Sequence, residues 1–368
     1  MFRFPIMRNP QSANPEIRSK MSKEKLLVVG DHFILPDLMR SSLGDLADRF
    51  EIVEASTPFP LEPFRDIAEV REASGSEEQM IEVLKNVSIC IAHHAPLTRR
   101  VIENAPDLKL FIVCRGGPVN VNLAAATEHG IVVAYTPARN AAATAEHTVA
   151  MILSAIRAIP STDAALRGGH WKGDYTWETA GFELETATVG LIGYGAIGHI
   201  VARILKGFGA TVLVYDPYAK ISSEGLIQQV ELNELLERSN VVSLHARETP
   251  ESRGILGAEQ FARMQRGSVV VNCARGSLMD YDAVADALRT GHLFAAAADV
   301  FVAEPLPPDS PLLQLPNFIL TPHIAGGTRQ AAVKATRIAA EELRQYLEGG
   351  LLRYCANPEA QRSGCTTK

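Results

Sequence analysis

No apolar run in the 368-residue sequence is long enough for a membrane-spanning helix or a signal peptide, so no membrane partner is expected. Cysteine is scarce. The five present (Cys90, Cys114, Cys273, Cys355 and Cys365) form no CxxC pair, and their odd number among mostly apolar neighbours reads as free thiols in a reducing compartment, the cytoplasm. An excess of positive charge is also lacking. The formal net charge of −6 disfavours nucleic acid and anionic surfaces, and no nucleic-acid partner is expected. Metal-ligand spacing is missing as well: His93, His94, His129, His147, His245 and His323 stand in separate segments, so no metal site is expected. A GxSxG elbow does not occur, which argues against a serine hydrolase.

What is present is an alternation of short apolar runs with helical periods, over a length that fits two domains with a cleft between them. The runs "KLLVVG", "EIVEA", "VSICIA", "LKLFIVC" and "GIVVAYT" predict one parallel sheet with helices on both faces. An alanine-rich helical stretch, "AAATAEHTVAMILSAIRAI", is long enough to cross to a second unit. There "TVGLIG", "TVLVYD", "VVSLHA", "GSVVVNCA", "LFAAAADVF" and "NFILTPH" predict six more strands. The fold class is therefore α/β, with two Rossmann-like, doubly wound domains. Residues 1–21 read as a flexible extension and 355–368 as a flexible tail. Between the crossing helix and the second series, "GGHWKGDYTWET" carries aromatics that suit either contact with another subunit or a locally packed loop.

The most specific stretch is "TVGLIGYGAIGHIVARILKGFGATVLVYDP". Gly193, Gly195 and Gly198 form GxGxxG between an apolar strand and a helix. In that setting Gly193 permits the tight turn, Gly195 lets the backbone approach a pyrophosphate, and Gly198 lets helix and strand pack closely. Tyr194, Gly195, Ala196 and Ile197 would offer amides at the helix N-terminus. Asp216 ends the next strand, where a carboxylate can bond both ribose hydroxyls and repel a 2′-phosphate, so the expected cofactor is NAD. The fingerprint sits mid-chain after a complete first sheet, so this domain reads as an insertion: 22–138 and 323–354 form one unit, 139–322 the other.

Three ionisable residues stand just past apolar strands of the second series: Arg275 in "VVVNCARGS", Glu304 in "DVFVAEP" and His323 in "LTPHIAGG". Singly they could be a strand-end salt bridge, a cap before Pro305 and a packing histidine. Together, beyond the carboxyl ends of strands, they suit hydride transfer: a planar fork for carboxylate and carbonyl, a proton carrier, and a carboxylate that stabilises the charged imidazole. The pair His93 and His94 lines the substrate mouth or caps a strand. With Arg115 and Arg139 it could receive a phosphate or sugar-acid hydroxyls.

The motifs "GLIGYGAIG", "VYDPY", "VVSLHA", "VNCARGSLMD", "DVFVAEP" and "TPHIAG", in this order, resemble the D-isomer-specific 2-hydroxyacid dehydrogenase family over residues 25–353. The resemblance implies an NAD-dependent enzyme that interconverts a small 2-oxo acid and its D-2-hydroxy acid, with a homodimer formed through the cofactor domain. It implies that Arg275 holds the substrate carboxylate and keto oxygen, that Glu304 raises the pKa of His323, and that His323 moves the proton. It assigns "CRGGPVNVN" to the substrate loop, with Arg115, Gly116 and Gly117 at the substrate together with His94. Around the cofactor it places Thr144, Pro217, His245, Ala246, Arg247, Ala274, Arg275, Asp299, His323 and Gly326. Arg115, Pro118, Val119 and Asn122 depart from the usual substrate-loop pattern, and Arg247 stands where relatives commonly carry proline. Glu304 argues against a formate dehydrogenase, whose glutamine at this place serves a substrate that needs no proton acceptor. The sequence ends soon after "LEGGLLRYCANP", so the additional regulatory domain of long phosphoglycerate dehydrogenases is not expected. The alternative from another class is an NAD(H)-sensing interaction protein of the corepressor type.

Overall fold

Short strands that are apolar on both faces must be covered on both, which is the environment of a parallel sheet wound with helices. The computed structural model describes residues 23–171, 175–221 and 226–364 and has two such sheets. The extension predicted over residues 1–21, and Cys365, lie outside the described residues.

The first unit contains β1 (Glu24–Gly30), β2 (Phe50–Ser56), β3 (Arg65–Ile67), β4 (Val70–Ala73), β5 (Ile89–Ala92), β6 (Leu110–Val113) and β7 (Val132–Tyr135). Five of them pair in parallel in the order β2-β1-β5-β6-β7. The winding direction reverses between β1 and β5, and a crevice opens there beyond the strand ends. The strands β3 and β4 form a separate antiparallel hairpin. The sequence reading has no hairpin there, because "RDI" and "VREA" carry neither an apolar run nor a clean alternation.

The second unit contains β8 (Thr188–Ile192), β9 (Thr211–Tyr215), β10 (Ile227–Gln229), β11 (Val241–Leu244), β12 (Ser268–Asn272), β13 (Leu293–Ala298) and β14 (Phe318–Leu320). Their order is β10-β9-β8-β11-β12-β13-β14, with the reversal between β8 and β11. The expected six strands become seven. The addition, β10, is a three-residue edge strand, Ile-Gln-Gln, too polar to be seen as a buried run.

The helix Ala141–Ile156 enters the second unit, where Ala145, Val149 and Ile152 share a core with Val189, Leu191 and Val271. The predicted stretch, 141–159, stays helical to Ile156. Pro160 lacks the N–H that would continue the ladder, Ala158 turns left-handed (φ 50°), and a second helix runs Ile159–Arg167. Among the described residues no single helix is long and apolar enough to cross a membrane.

After β14 the helix Arg329–Leu347 returns to the first sheet and buries Ala332, Ala335, Ala339 and Leu343 against Leu26, Val28, Leu110 and Ile112. The second unit is thus inserted into the first. The expectation of a flexible tail is corrected over 355–364. Asn357 is buried, accepts from the Val133 amide at 2.8 Å and donates to Thr127 Oγ1 and the Ile131 carbonyl at 3.0 and 2.9 Å. A helix Pro358–Gly364 follows, with Ala360 in the core. A polar Asn-Pro dipeptide looks like a loop in sequence; here its amide satisfies backbone groups of β7 and the approach to it.

Candidate active site

The glycine loop joins β8 to the helix Ala196–Gly207 at the reversal point of the second sheet. Gly193 has φ 101°, and a Cβ there would meet the Ala246 nitrogen at 2.6 Å. At Gly198 a Cβ would stand 2.4 Å from the Gly193 carbonyl oxygen, whereas beside Gly195 nothing lies within 4 Å. One glycine shapes the turn, one allows close packing, and one leaves a cradle that a side chain would fill. The amides of Gly195, Ala196 and Ile197 begin the helix, where backbone donors have no intrahelical partner and the dipole favours an anion. This arrangement fits the pyrophosphate of a dinucleotide.

Asp216 does more than ribose recognition requires. Its Oδ2 accepts from the Tyr194 amide at 2.7 Å, and its Oδ1 accepts from the amides of Tyr218 and Ala219 at 2.8 and 3.1 Å. The expected offer of the Tyr194 amide to the cofactor is therefore corrected, since that donor is engaged. Oδ2 keeps acceptor capacity for a hydroxyl. His245 bonds Ser243 Oγ at 3.0 Å, and burial pushes its pKa down to about 4, so it faces the loop as a neutral ring. Pro217 and Arg247 are exposed, and Ala246 is half-buried against Gly193.

At the ends of β12, β13 and β14 the three ionisable residues come together. His323 Nδ1 lies 2.6 Å from Glu304 Oε2, and Glu304 Oε1 accepts from the Phe301 amide at 2.8 Å. Burial works against the imidazolium, but the bond and charge of Glu304, joined by the charge of Glu72, outweigh it and raise the pKa of His323. The Arg275 guanidinium stands near enough to oppose that rise, and its Nη1 donates to the Ala274 carbonyl at 2.7 Å. With Nδ1 held, Nε2 is the atom left to exchange a proton.

His323 has a left-handed backbone, φ 54°, which costs a non-glycine residue roughly 1–2 kcal/mol. Asp299, fully buried, holds the loop in it. Its Oδ1 accepts from Thr321 Oγ1 at 2.6 Å and the Ile324 amide at 2.9 Å, its Oδ2 from the Ala325 amide at 2.8 Å, and its carbonyl from the His323 amide at 2.8 Å. His147 reaches Thr321 Oγ1 at 3.2 Å from the entering helix. Thr144 is buried in the first turn of that helix. At Gly326 a Cβ would lie 2.5 Å from Asn140 Nδ2, so this glycine permits contact between the returning chain and the entering helix.

The first unit supplies the facing wall. Glu72, on β4, pairs with Arg115 Nη2, and its carbonyl accepts from Arg115 Nη1 at 2.7 Å and lies 2.8 Å from His94 Nδ1. Phe64 stacks on His94 (ring centroids 5.7 Å apart) and sets its edge to His323 at 5.6 Å, which joins the two walls. Behind them, at the reversal point of the first sheet, His93 Nδ1 meets Asp31 Oδ2 at 2.5 Å, and its Nε2 lies 3.5 Å from Arg139 Nη2. Burial pushes Asp31 up to about 6 and holds His93 and His94 well below the usual histidine range. Beside Gly116 and Gly117 nothing lies within 4 Å of a would-be Cβ.

The sequence reading thus has Arg115, Arg139 and the two histidines but not their partners Glu72, Asp31 and Phe64. Asp31 carries a usable signal, a carboxylate at the end of β1 beside the winding reversal; Glu72 and Phe64 carry none.

Residues 149–325 match the family described as "D-isomer specific 2-hydroxyacid dehydrogenase, NAD binding domain". The chain is 38% identical over 297 residues to a D-3-phosphoglycerate dehydrogenase of Methanocaldococcus jannaschii, a match covering 79% of this chain and 56% of that protein. It therefore spans about half the length of the phosphoglycerate dehydrogenases it matches. A glyoxylate reductase of Korarchaeum cryptofilum is 34% identical over 294 residues, 78% of this chain and 88% of that one. Among solved structures, the TT0316 protein from Thermus thermophilus superposes with a TM-score of 0.76 at 31% identity, over 90% of this chain and 99% of that chain.

Proposed function

The chain belongs to the D-isomer-specific 2-hydroxyacid dehydrogenase family, with the family's NAD binding domain at residues 149–325, and from that premise we propose that it interconverts a small 2-oxo acid and its D-2-hydroxy acid. The observation that carries this reading is the His323–Glu304 pair at 2.6 Å, opening beside Arg275 at strand ends that adjoin the glycine loop. NAD(H) held by the loop from Gly193 to Gly198 would supply the hydride to C2, or accept it. Arg275 binds the substrate carboxylate and carbonyl oxygen in a planar fork. In the reductive direction His323 donates its Nε2 proton to the oxygen on C2, and Glu304 stabilises the imidazolium beforehand; oxidation runs the same transfer backwards. Gly116 and Gly117 offer backbone to the substrate carboxylate, a role supported by the open space beside them.

The domain boundaries belong to the same reading: 22–138 and 323–354 receive the substrate, and 139–322 the cofactor. So does a homodimer built through the cofactor domain, supported by the exposure of Trp171, Tyr175 and Trp177 beside the entering helices. A cytoplasmic home is supported by the free thiols of Cys90, Cys114, Cys273 and Cys355. The test is NADH oxidation against a panel of 2-oxo acids, with His323→Ala as control. Turnover by the native chain that is lost in the variant, with NADH binding retained in both, supports the reading. NADH binding without turnover of any acid at any pH sinks it and leaves a nucleotide-sensing protein.

A further inference from the structure

The wall opposite His323 carries buried charges, of which Arg115 and Glu72 form a direct pair. Arg115, its side chain 10% exposed, is tied to Glu72 through both nitrogens of the fork, one on the carboxylate and one on the carbonyl oxygen. Arg139, with Nε and Nη1 buried and unpartnered among the described residues, is linked through His93 to Asp31. Glu304 takes the proton-bearing His323. The remaining buried carboxylate, Asp299, is taken up by two amides and the Thr321 hydroxyl. When His323 is protonated, Arg115, Arg139, Arg275 and His323 are matched in number by the carboxylates of Asp31, Glu72, Asp299 and Glu304. Arg275 stands near His323 with no carboxylate bonded to it among the described residues.

Such a cleft matches one carboxylate. A ligand with a second anionic group would bring it to a wall where Arg115 is already paired, next to the Glu72 carboxylate, where a desolvated like charge is repelled. The apolar rings of Phe59 and Phe64, packed with the neutral His94 ring beside His323, suit an uncharged chain. We propose that Glu72 is a specificity-determining residue: by pairing off Arg115 it makes the cleft accept a 2-oxo or 2-hydroxy monocarboxylate with an uncharged tail and reject one carrying a further phosphate or carboxylate. This rests on the dehydrogenase reading for the placement of the first carboxylate at Arg275.

The test compares D-glycerate with 3-phospho-D-glycerate as ligands of the NADH-loaded protein by calorimetry, in the native chain and in Glu72→Gln. In parallel it compares hydroxypyruvate with its 3-phosphate as substrates. The native protein prefers the unphosphorylated member of each pair, and Glu72→Gln shifts the ratio toward the phosphorylated member about tenfold or more, the effect of one charge at short range in a partly desolvated site. Glutamine keeps the backbone contacts of residue 72, and the native ratio alone still decides if the variant does not fold. A native protein that binds the phosphorylated ligand as tightly as D-glycerate, including one that binds neither, overturns the proposal, as does an unchanged ratio in a folded variant. Discrimination in binding without any turnover overturns the dehydrogenase reading instead and leaves the role of Glu72 standing.

Discussion

At His323 two environments compete for one proton. Burial alone would keep the imidazole neutral, yet Glu304 at 2.6 Å favours the charged form and prevails. Reduction of a 2-oxo acid uses the protonated ring, so its rate is full below the His323 pKa and declines as pH rises through it; oxidation has the mirrored dependence. Replacing Glu304 with glutamine removes the interaction that raises the pKa. The alkaline decline of the reductive kcat/KM is expected to move to lower pH by about one to three units, the usual effect of one adjacent opposite charge. A pH profile of the variant that overlays the native one would show that Glu304 does not tune His323. Both residues are legible in the sequence because each follows an apolar strand. Glu72 is not, because its partner Arg115 is 43 positions away and the hairpin that presents it has no hydrophobic pattern.

At the scale of elements, the loop from β8 to its helix separates two uses of glycine that one motif conceals. Gly193 serves the backbone: its left-handed φ and the 2.6 Å approach to the Ala246 nitrogen leave no place for a methyl group. Gly193→Ala is expected to destabilise the second unit by about 2 kcal/mol or more, read as a lower melting temperature with or without ligand. Gly195 has open space and an ordinary φ of −74°, so Gly195→Ala is expected to melt like the native chain while NADH affinity drops at least tenfold. Equal NADH affinity in the Gly195 variant would remove the pyrophosphate from this cradle. The fully buried strands of both sheets are readable from their runs of valine, isoleucine, leucine and alanine. Elements at the margins, β3, β4, β10 and the helix Pro358–Gly364, escape because their sequences are polar and their places are set by neighbours distant in the chain.

For the whole molecule, insertion of one doubly wound unit into the other means that the chain crosses between them twice, at the helix Ala141–Ile156 and at the loop bearing His323. Gly326 packs on Asn140 where the two crossings meet. A homodimer through the cofactor unit is expected to sediment at twice the 39.9 kDa chain mass, and Trp177→Asp, on the exposed aromatic segment, to shift it toward one chain. A native protein that sediments as a single chain would refute that assembly. The joining of the two walls is not legible in either half of the sequence. It depends on Phe64, just before β3, touching His323, just past β14 and 259 positions later by their numbers. Asp216, finally, bears on redesign. Because both of its oxygens anchor backbone amides, of Tyr194 and of the following turn, a swap to the phosphorylated dinucleotide at this position also costs loop contacts. A serine or asparagine lifts the repulsion but brings one acceptor oxygen where Asp216 uses two, so either replacement keeps the Tyr194 anchor or the turn, not both.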